Sequence, residues 1–239
     1  MSRKKLLLLV LIVELLLIAA IALANVVGRP AFYLFYNIGY GVLLSVLVPL
    51  WHMYRQGEGL GSSGMGHVGA RQILVMLAFA VFSIGGQAIP LVMNHTQLDW
   101  ALLPMCLLPL VMTTFFEEFL FRGFFQVRLE KAFGLVPALL ISGAMFSLYH
   151  VGYPGFRNIQ DLLLLFAVGT GFGLAFKLGG NSLFTAYFVN LPNALLTYML
   201  KSNQFPVFDG HTSIYAACTI VLIIAVFAIG RKNGKVSLT

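Results

Sequence analysis

The sequence predicts an all-α fold, a polytopic membrane helical bundle of about eight transmembrane helices. Of the 239 residues, 59% are hydrophobic and only 10% are charged, and the mean hydropathy is +0.91. Soluble domains carry about 25% charged residues. A helix that crosses a bilayer needs about 20 mostly apolar residues, and several segments of this kind follow one another. We therefore expect a single membrane domain over residues 1–239, in contact with lipid.

Short stretches of polar and turn-forming residues separate the apolar segments. Examples are "GRP" at 28–30, "NHTQLDW" at 94–100 and "GYPGFRNIQD" at 152–161. The fourth segment contains Pro104 and Pro109, so we expect its first half to be kinked or irregular. The predicted spans are 6–27, 31–53, 72–93, 101–126, 134–151, 160–177, 182–200 and 212–230.

The first segment is open to two interpretations, a cleaved signal peptide or an uncleaved span. The "ALA" at 22–24 has the form of a cleavage site. The apolar run is long for a signal peptide, however, and Glu14 interrupts it. These features favour an uncleaved first span.

The longest break between spans, residues 55–72, is rich in glycine. Its sequence "RQGEGLGSSGMGHVGARQ" lacks the Gly-Lys-Ser/Thr ending of a phosphate-binding loop. We predict a flexible cytoplasmic linker here.

Small residues inside the spans predict packing rather than chemistry. Gly169 and Gly173 of "GTGFG" share a helix face, and no strand precedes them, which favours close helix packing over a dinucleotide site. Cys106 and Cys218 have no metal-ligand spacing, so we interpret them as small packing residues without a disulfide.

The distribution of basic residues predicts the orientation. With a cytoplasmic N-terminus, twelve of the 15 lysines and arginines fall on the inner side. This bias predicts that both termini are cytoplasmic. It also explains the net charge of +7 together with anionic lipid headgroups, so we expect no nucleic-acid partner. The three outer residues are Arg29, Arg157 and Lys201.

Ionisable side chains at membrane depth cost on the order of 2.5–3.5 kcal/mol, so they are paired, interfacial or functional. Eight ionisable or amide side chains within the predicted spans are candidates for such roles. No specific role is predicted for Glu14 or Gln87, but the spacing of the other six forms a pattern. The full set is Glu14, Gln87, Glu117, Glu118, Arg122, His150, Asn190 and Asn193.

Helical spacing separates the charges of "FFEEFLFRGFF". Glu118 and Arg122 lie four residues apart on one face and are predicted to form a structural ion pair. Glu117 is turned by about 100° from Glu118 and needs another partner. His150 ends the next span at a matching depth, so we predict that it meets Glu117. A carboxyl group beside an imidazole can perform general acid–base catalysis.

Asn190 and Asn193 of "YFVNLPNALL" lie three residues apart on one face of a later span. Their amides are candidate donors to the oxyanion of a hydrolysis reaction. An intramembrane asparagine that only joins two helices is the alternative for each residue.

These motifs resemble those of the CPBP intramembrane proteases, which include the type II CAAX prenyl endopeptidases and the Abi proteins of bacteriocin processing or immunity. "EEFLFRGFFQ" at 117–126 matches the family motif Glu-Glu-x-x-x-Arg, and "FSLYH" at 146–150 matches Phe-x-x-x-His. "AVGTGFGLAFKLGGNSLFTAYFVNLPNAL" resembles the third and fourth core helices. The resemblance implies a protease-like core over 100–200. Residues 1–99 would then be accessory spans, and 201–239 the last span and a cytoplasmic tail.

The resemblance also implies roles and a location. Glu117 would activate the attacking water with the help of His150, while Glu118 and Arg122 would hold the architecture. A His and an Asn on the later helix would form an oxyanion hole or complete a zinc site. The expected location is a bacterial plasma membrane, and the implied substrates are peptides or membrane-anchored proteins, prenylated CAAX proteins among them.

The chain departs from the family pattern at the later His. The His position falls on Asn190 or on Val189, depending on the alignment, and neither is a histidine. Asparagine is a poor zinc ligand, so we expect no metal cofactor. A zinc cofactor is kept as the alternative. The candidate catalytic residues are Glu117, Glu118, His150, Asn190 and Asn193.

Three functions fit these observations. The first is an active glutamate-dependent intramembrane endopeptidase. The second is an inactive protease-like scaffold that binds and regulates a partner membrane protein. The third is a proton-coupled transporter that uses a Glu/His pair.

Overall fold

The computed structural model describes residues 2–28, 31–66, 68–156, 158–201 and 208–232. Within these ranges the chain forms eight helices long and apolar enough to cross a membrane, and no β-strand. The predicted polytopic helical bundle is confirmed. The helices are α1 (Arg3–Val26), α2 (Ala31–Arg55), α3 (Ala70–Met93), α4 (Trp100–Phe133), α5 (Leu135–Gly152), α6 (Ile159–Leu178), α7 (Leu183–Leu200) and α8 (Gly210–Lys232).

The predicted orientation is an expectation from charge alone, because no membrane accompanies the structure. Arg29, Arg157 and Lys235, which enter the charge count, lie outside the described residues.

Two of the spans change their helical geometry along their length. In α2, Leu34–Leu47 is π-helical. In α4, a 3₁₀ turn precedes the α-helical Leu103–Glu117, and a π-helical Glu118–Gln126 follows. Pro109 lies inside the α-helical part, and the 3₁₀ turn is the irregularity that the first half of the span shows. The π-helical geometry of the second half was not predicted. Short π-helical segments often occur at functional sites.

The π-helical part of α4 lies at the centre of the bundle. Every residue of Glu118–Gln126 is buried, and its five large apolar side chains are inaccessible to solvent. By contrast, α3 carries exposed apolar side chains such as Leu74, Val81 and Phe82, which suit contact with lipid. The five inaccessible side chains are Phe119, Leu120, Phe121, Phe124 and Phe125.

The glycine-rich break after α2 is packed at Leu60–Ser63, so the prediction of a flexible linker is wrong for this turn. Leu60 and Ser63 are buried in a short 3₁₀ turn. The Leu183 amide donates to the Gly64 carbonyl at 3.0 Å. Gly64 has a φ of +81°, and a Cβ there would lie 2.2 Å from the Asn181 carbonyl oxygen. Glycine thus permits both the turn and the close approach.

The glycines of "GTGFG" pack against neighbouring helices as predicted. A Cβ on Gly169 would lie 2.8 Å from the Phe146 ring, and one on Gly173 would lie 2.6 Å from Gln126 Oε1. Cys106 is buried as expected for a packing residue, and neither cysteine forms a disulfide. Cys218 is exposed, so the packing prediction is wrong for that residue.

Candidate active site

The two adjacent glutamates lie where α4 changes its helical geometry. Glu117 ends the α-helical part, and Glu118 begins the π-helical part. Their side chains are 7% and 0% exposed. A π-helix closes i→i+5 hydrogen bonds and therefore turns less per residue than an α-helix. The angle about the helix axis between the two carboxylates is thus smaller than in an α-helix. One side chain from another helix can therefore contact both carboxylates.

Two side chains from other helices hold the Glu117 carboxylate. The Tyr149 hydroxyl donates to Oε1, and Asn190 Nδ2 donates to Oε2 at 2.8 Å. The expected direct contact with His150 is not formed: among the described residues, no hydrogen bond joins these two side chains. Tyr149 precedes His150 in the chain, and its longer side chain reaches α4 instead.

Glu118 belongs to a buried polar network on the other side of the junction. Arg122 Nε lies 3.4 Å from Glu118 Oε2, and both side chains are inaccessible to solvent. Arg122 Nη1 donates to Ser142 Oγ at 2.8 Å. Gln126 Nε2 donates to the Gly173 carbonyl at 2.8 Å, and Ser142 Oγ lies 3.5 Å from Gln126 Oε1. The motif therefore ties α4 to α5 and α6.

His150 has one ring nitrogen fixed and one available. Nδ1 lies 2.7 Å from the Phe146 carbonyl oxygen. Because a carbonyl oxygen only accepts, Nδ1 carries the hydrogen, and Nε2 of the neutral ring is an acceptor. Among the described residues, Nε2 has no hydrogen-bond partner.

Asn190 joins the two glutamates. Its Nδ2 donates to Glu118 Oε1 at 2.8 Å as well as to Glu117 Oε2. An amide nitrogen carries two hydrogens, so both are used on carboxylates. In this arrangement Asn190 has no N–H left for an oxyanion, which was its predicted role.

Asn193 is held from α3. Its Nδ2 donates to Ser83 Oγ at 2.7 Å, which leaves its second amide hydrogen without a partner among the described residues. Gln87 Nε2 lies 3.5 Å from the Asn193 carbonyl oxygen, so Gln87 contributes to the contact between α3 and α7. Glu14, the other residue without a predicted role, is 6% exposed, and neither of its carboxyl oxygens has a hydrogen-bond partner within the described chain.

A cavity of about 90 Å³ brings Glu117, His150, Asn190 and Asn193 together. This volume accommodates a few water molecules. Glu118 and Arg122 do not line the cavity. The remaining lining side chains are mainly aromatic or aliphatic: Phe32, Tyr36, Leu110, Thr113, Phe146, Tyr149, Tyr153, Phe156, Leu165, Val168, Ala194, Thr197, Tyr198 and Phe208.

This cavity offers proton acceptors to a water molecule. Each Glu117 oxygen accepts one protein hydrogen bond and retains acceptor capacity. His150, whose Nε2 is an acceptor without a partner among the described residues, also lines this cavity. A water molecule between them can be deprotonated by either group, which is the requirement for general base catalysis.

The described residues do not fit a zinc site. Nowhere in the described ranges do three His, Cys, Asp or Glu side chains come together in a ligand geometry. Catalytic zinc sites use three protein ligands, and here the Asn190 amide nitrogen faces the carboxylates as a donor. Glu117 and His150 alone are too few.

The sequence pattern missed Tyr149. This fully buried residue donates a hydrogen bond to Glu117, and the centroid of its ring lies 4.1 Å from the centroid of the His150 ring. Its position immediately before His150 was the available signal, but tyrosine is also common at the ends of membrane spans.

One comparison with known proteins gave a match. The family model described as "Type II CAAX prenyl endopeptidase Rce1-like" matches residues 98–195. Neither the curated proteins nor the solved structures gave a match. The matched segment contains Glu117, Glu118, His150, Asn190 and Asn193. The match confirms, for residues 98–195, the resemblance that the motifs indicated.

Proposed function

We propose that the protein is an intramembrane endopeptidase that hydrolyses a peptide bond with water activated by Glu117 and His150. The observation that carries this proposal is their shared cavity, which accommodates water and is lined mainly by apolar and aromatic side chains. Tyr149 and Asn190 fix the orientation of the Glu117 carboxylate. A base held in position before the substrate arrives needs little reorganisation during the reaction.

In the proposed reaction, the oxygen of a water molecule attacks the carbonyl carbon of the scissile peptide bond. Glu117 accepts one proton from this water, and His150 Nε2 accepts a hydrogen bond from it. The carbonyl oxygen becomes an oxyanion. When the C–N bond breaks, Glu117 returns the proton to the leaving amine, and a new carboxyl end and a new amino end are formed.

Asn193 is the proposed oxyanion donor, because one of its amide hydrogens has no partner within the described ranges and the residue lines the cavity. Removal of one oxyanion donor typically lowers turnover by about 10²–10³-fold. Asn190 acts as a positioning residue for Glu117 and Glu118, and Arg122 balances the charge of Glu118.

The substrate class is a peptide or a membrane-anchored protein. Aromatic and aliphatic side chains dominate the cavity walls, so residues next to the scissile bond are expected to be apolar. Membrane lipids surround the site, which suits a substrate that already lies in or on the bilayer.

The test compares new protein N-termini in membranes that contain the wild type, Glu117→Gln or Glu130→Gln at equal levels. Glu130 pairs with Lys177 at 2.5 Å and does not line the cavity, so it controls for the loss of a carboxylate. We expect N-termini that the wild type and Glu130→Gln produce and Glu117→Gln does not. Identical N-termini in all three membranes would overturn the proposal.

The observation on Asn190 favours a second candidate, an inactive scaffold that binds and regulates a partner membrane protein. Both hydrogens of Asn190 are committed to carboxylates, and Asn190 is one of the two positions onto which the family's histidine can be aligned. A scaffold would bind its partner in stoichiometric amounts, and Glu117→Gln and His150→Ala would leave its phenotype unchanged. Loss of the phenotype in both variants would instead support the enzyme.

Metal analysis of the purified protein tests the reaction independently. A glutamate-dependent enzyme keeps its activity after treatment with a chelator and contains far less than one zinc per chain. Stoichiometric zinc that is lost together with activity would contradict the proposed chemistry.

A further inference from the structure

The walls of the cavity come from one end of the bundle. We call this end the open face; α1, α3, α5 and α7 end there, and the even-numbered helices begin there. The second half of α7 lines the cavity from Asn190 to Tyr198, whereas the first half of α6 contributes Leu165 and Val168. Phe156, between α5 and α6, also belongs to the lining. The cavity therefore extends from Glu117 towards the open face.

The opposite end of the bundle, the closed face, is sealed beneath the site. The π-helical Glu118–Gln126 is entirely buried and contributes nothing to the cavity lining. Below it, the packed turn at Leu60–Ser63 lies against this segment: a Cβ on Gly123 would lie 2.8 Å from the Ser63 carbonyl oxygen. Arg128 forms a salt bridge with Glu58 and fastens the turn to α4. The lining of the cavity thus lies on the open-face side of Glu117, and packed side chains lie on the other side.

The two faces differ in charge. On the open face, Lys201 is the one lysine or arginine among the described residues, and it pairs with Asp161 at 2.6 Å. Asp99 and Asp209 lie at the same face. Basic residues concentrate on the cytoplasmic side of membrane proteins. The closed face carries Arg3, Lys4, Lys5, Arg55, Arg71, Arg128, Lys131 and Lys177.

We propose that the cavity opens to the extracytoplasmic side of the membrane and that its substrate arrives from that side. The substrate is then an exported peptide or the outer segment of a membrane protein. A C-terminal motif displayed on the cytoplasmic surface would face the sealed end of the bundle. The identity of the substrate rests on the proposed function, but the side of access does not.

The test labels single cysteines with a small, membrane-impermeant methanethiosulfonate. The background is Glu117→Gln with Cys106→Ala and Cys218→Ala, so no catalysis is needed. Thr197→Cys reports on the cavity wall. Gln97→Cys marks the open face and Lys131→Cys marks the closed face, because both residues are exposed.

In intact cells we expect labelling of Thr197→Cys and Gln97→Cys, with Lys131→Cys labelled only in inverted vesicles. Labelling of Thr197→Cys only in inverted vesicles, or from neither side, would overturn the proposal. Cleavage is measured separately, with the protein that keeps Glu117: correct labelling of the cysteine variants together with no cleavage by that protein would count against the protease alone. Cleaved peptides with labelling only from the cytoplasmic side would count against the side of access alone.

Discussion

The two halves of α4 show how one helix serves two purposes. Before the junction, Leu110, Thr113 and Glu117 face a cavity that accommodates water. After it, every residue of Glu118–Gln126 is buried. A carboxylate beside water can exchange protons, whereas an enclosed carboxylate needs an internal partner for its charge. Two adjacent glutamates can therefore have different roles, with Glu117 available for proton transfer and Glu118 part of the packed interior. Substitutions before the junction should affect activity, and those after it should affect folding.

The largest effect on stability is expected from Arg122→Met. This substitution leaves Glu118 buried with an uncompensated charge and also removes the bond to Ser142. The removal of one partner from a buried ion pair costs about 3–5 kcal/mol. Unfolding of the purified protein in detergent, induced by heat or denaturant, measures the loss.

Two variants sharpen this prediction. Lys131→Met removes an exposed cation from the same helix and should change the free energy of unfolding by less than about 0.5 kcal/mol. Glu118→Gln combined with Arg122→Met removes both charges and should be more stable than Arg122→Met alone. If Arg122→Met unfolds like the wild type, the buried polar network around Glu118 and Arg122 does not stabilise the fold.

Gly64→Ala extends the comparison to the turn that packs against the π-helical Glu118–Gln126. Its added Cβ would lie 2.2 Å from the Asn181 carbonyl oxygen, and φ is already positive. Gly57→Ala is the matched control, because Gly57 also has a positive φ but nothing within 4 Å of an added Cβ. We expect Gly64→Ala to lose about 1–3 kcal/mol more than the control, as overpacking does. Equal losses in a denaturation series would show that the turn is not packed.

The sequence allowed the bundle to be predicted because membrane insertion depends on local composition. Each span holds enough apolar residues to cross the bilayer alone, so the eight spans agree closely with the helices. The π-helical Glu118–Gln126 and the packed turn at Leu60–Ser63 could not be predicted in this way. Both depend on contacts between distant segments, such as that of Gly123 with Ser63, and glycine-rich composition alone fits a linker equally well.

Most polar residues of the candidate site were predicted from the sequence, but Tyr149 and the pairing of the side chains were not. Spacing placed Glu118 beside Arg122, because residues four apart on a helix are neighbours. The partner of Glu117 depends on the rotation of α5, which a sequence does not specify to within one residue. Tyr149 therefore occupies the place predicted for His150. Asn190 reaches both glutamates only because of the geometry at the junction.

A smaller effect on stability is expected from Tyr149→Phe on the cavity side. It removes the hydroxyl that donates to Glu117 and leaves the buried ring in place. Water in the cavity can replace the donor, so the free energy of unfolding should fall by no more than about 1 kcal/mol, while cleavage falls because the carboxylate is less well oriented. Tyr187→Phe, which loses a bond to the Val111 carbonyl, is the control and should keep wild-type cleavage. Unchanged cleavage in Tyr149→Phe would remove Tyr149 from the site.

The most direct measurement compares Glu117→Gln and Glu118→Gln in one set of preparations, for both new N-termini and unfolding. The two substitutions are chemically identical and one residue apart. We predict that Glu117→Gln abolishes cleavage and unfolds within about 1 kcal/mol of the wild type, whereas Glu118→Gln leaves Arg122 unpaired and lowers stability by several kcal/mol. A Glu117→Gln protein that still cleaves at the wild-type rate would contradict the account.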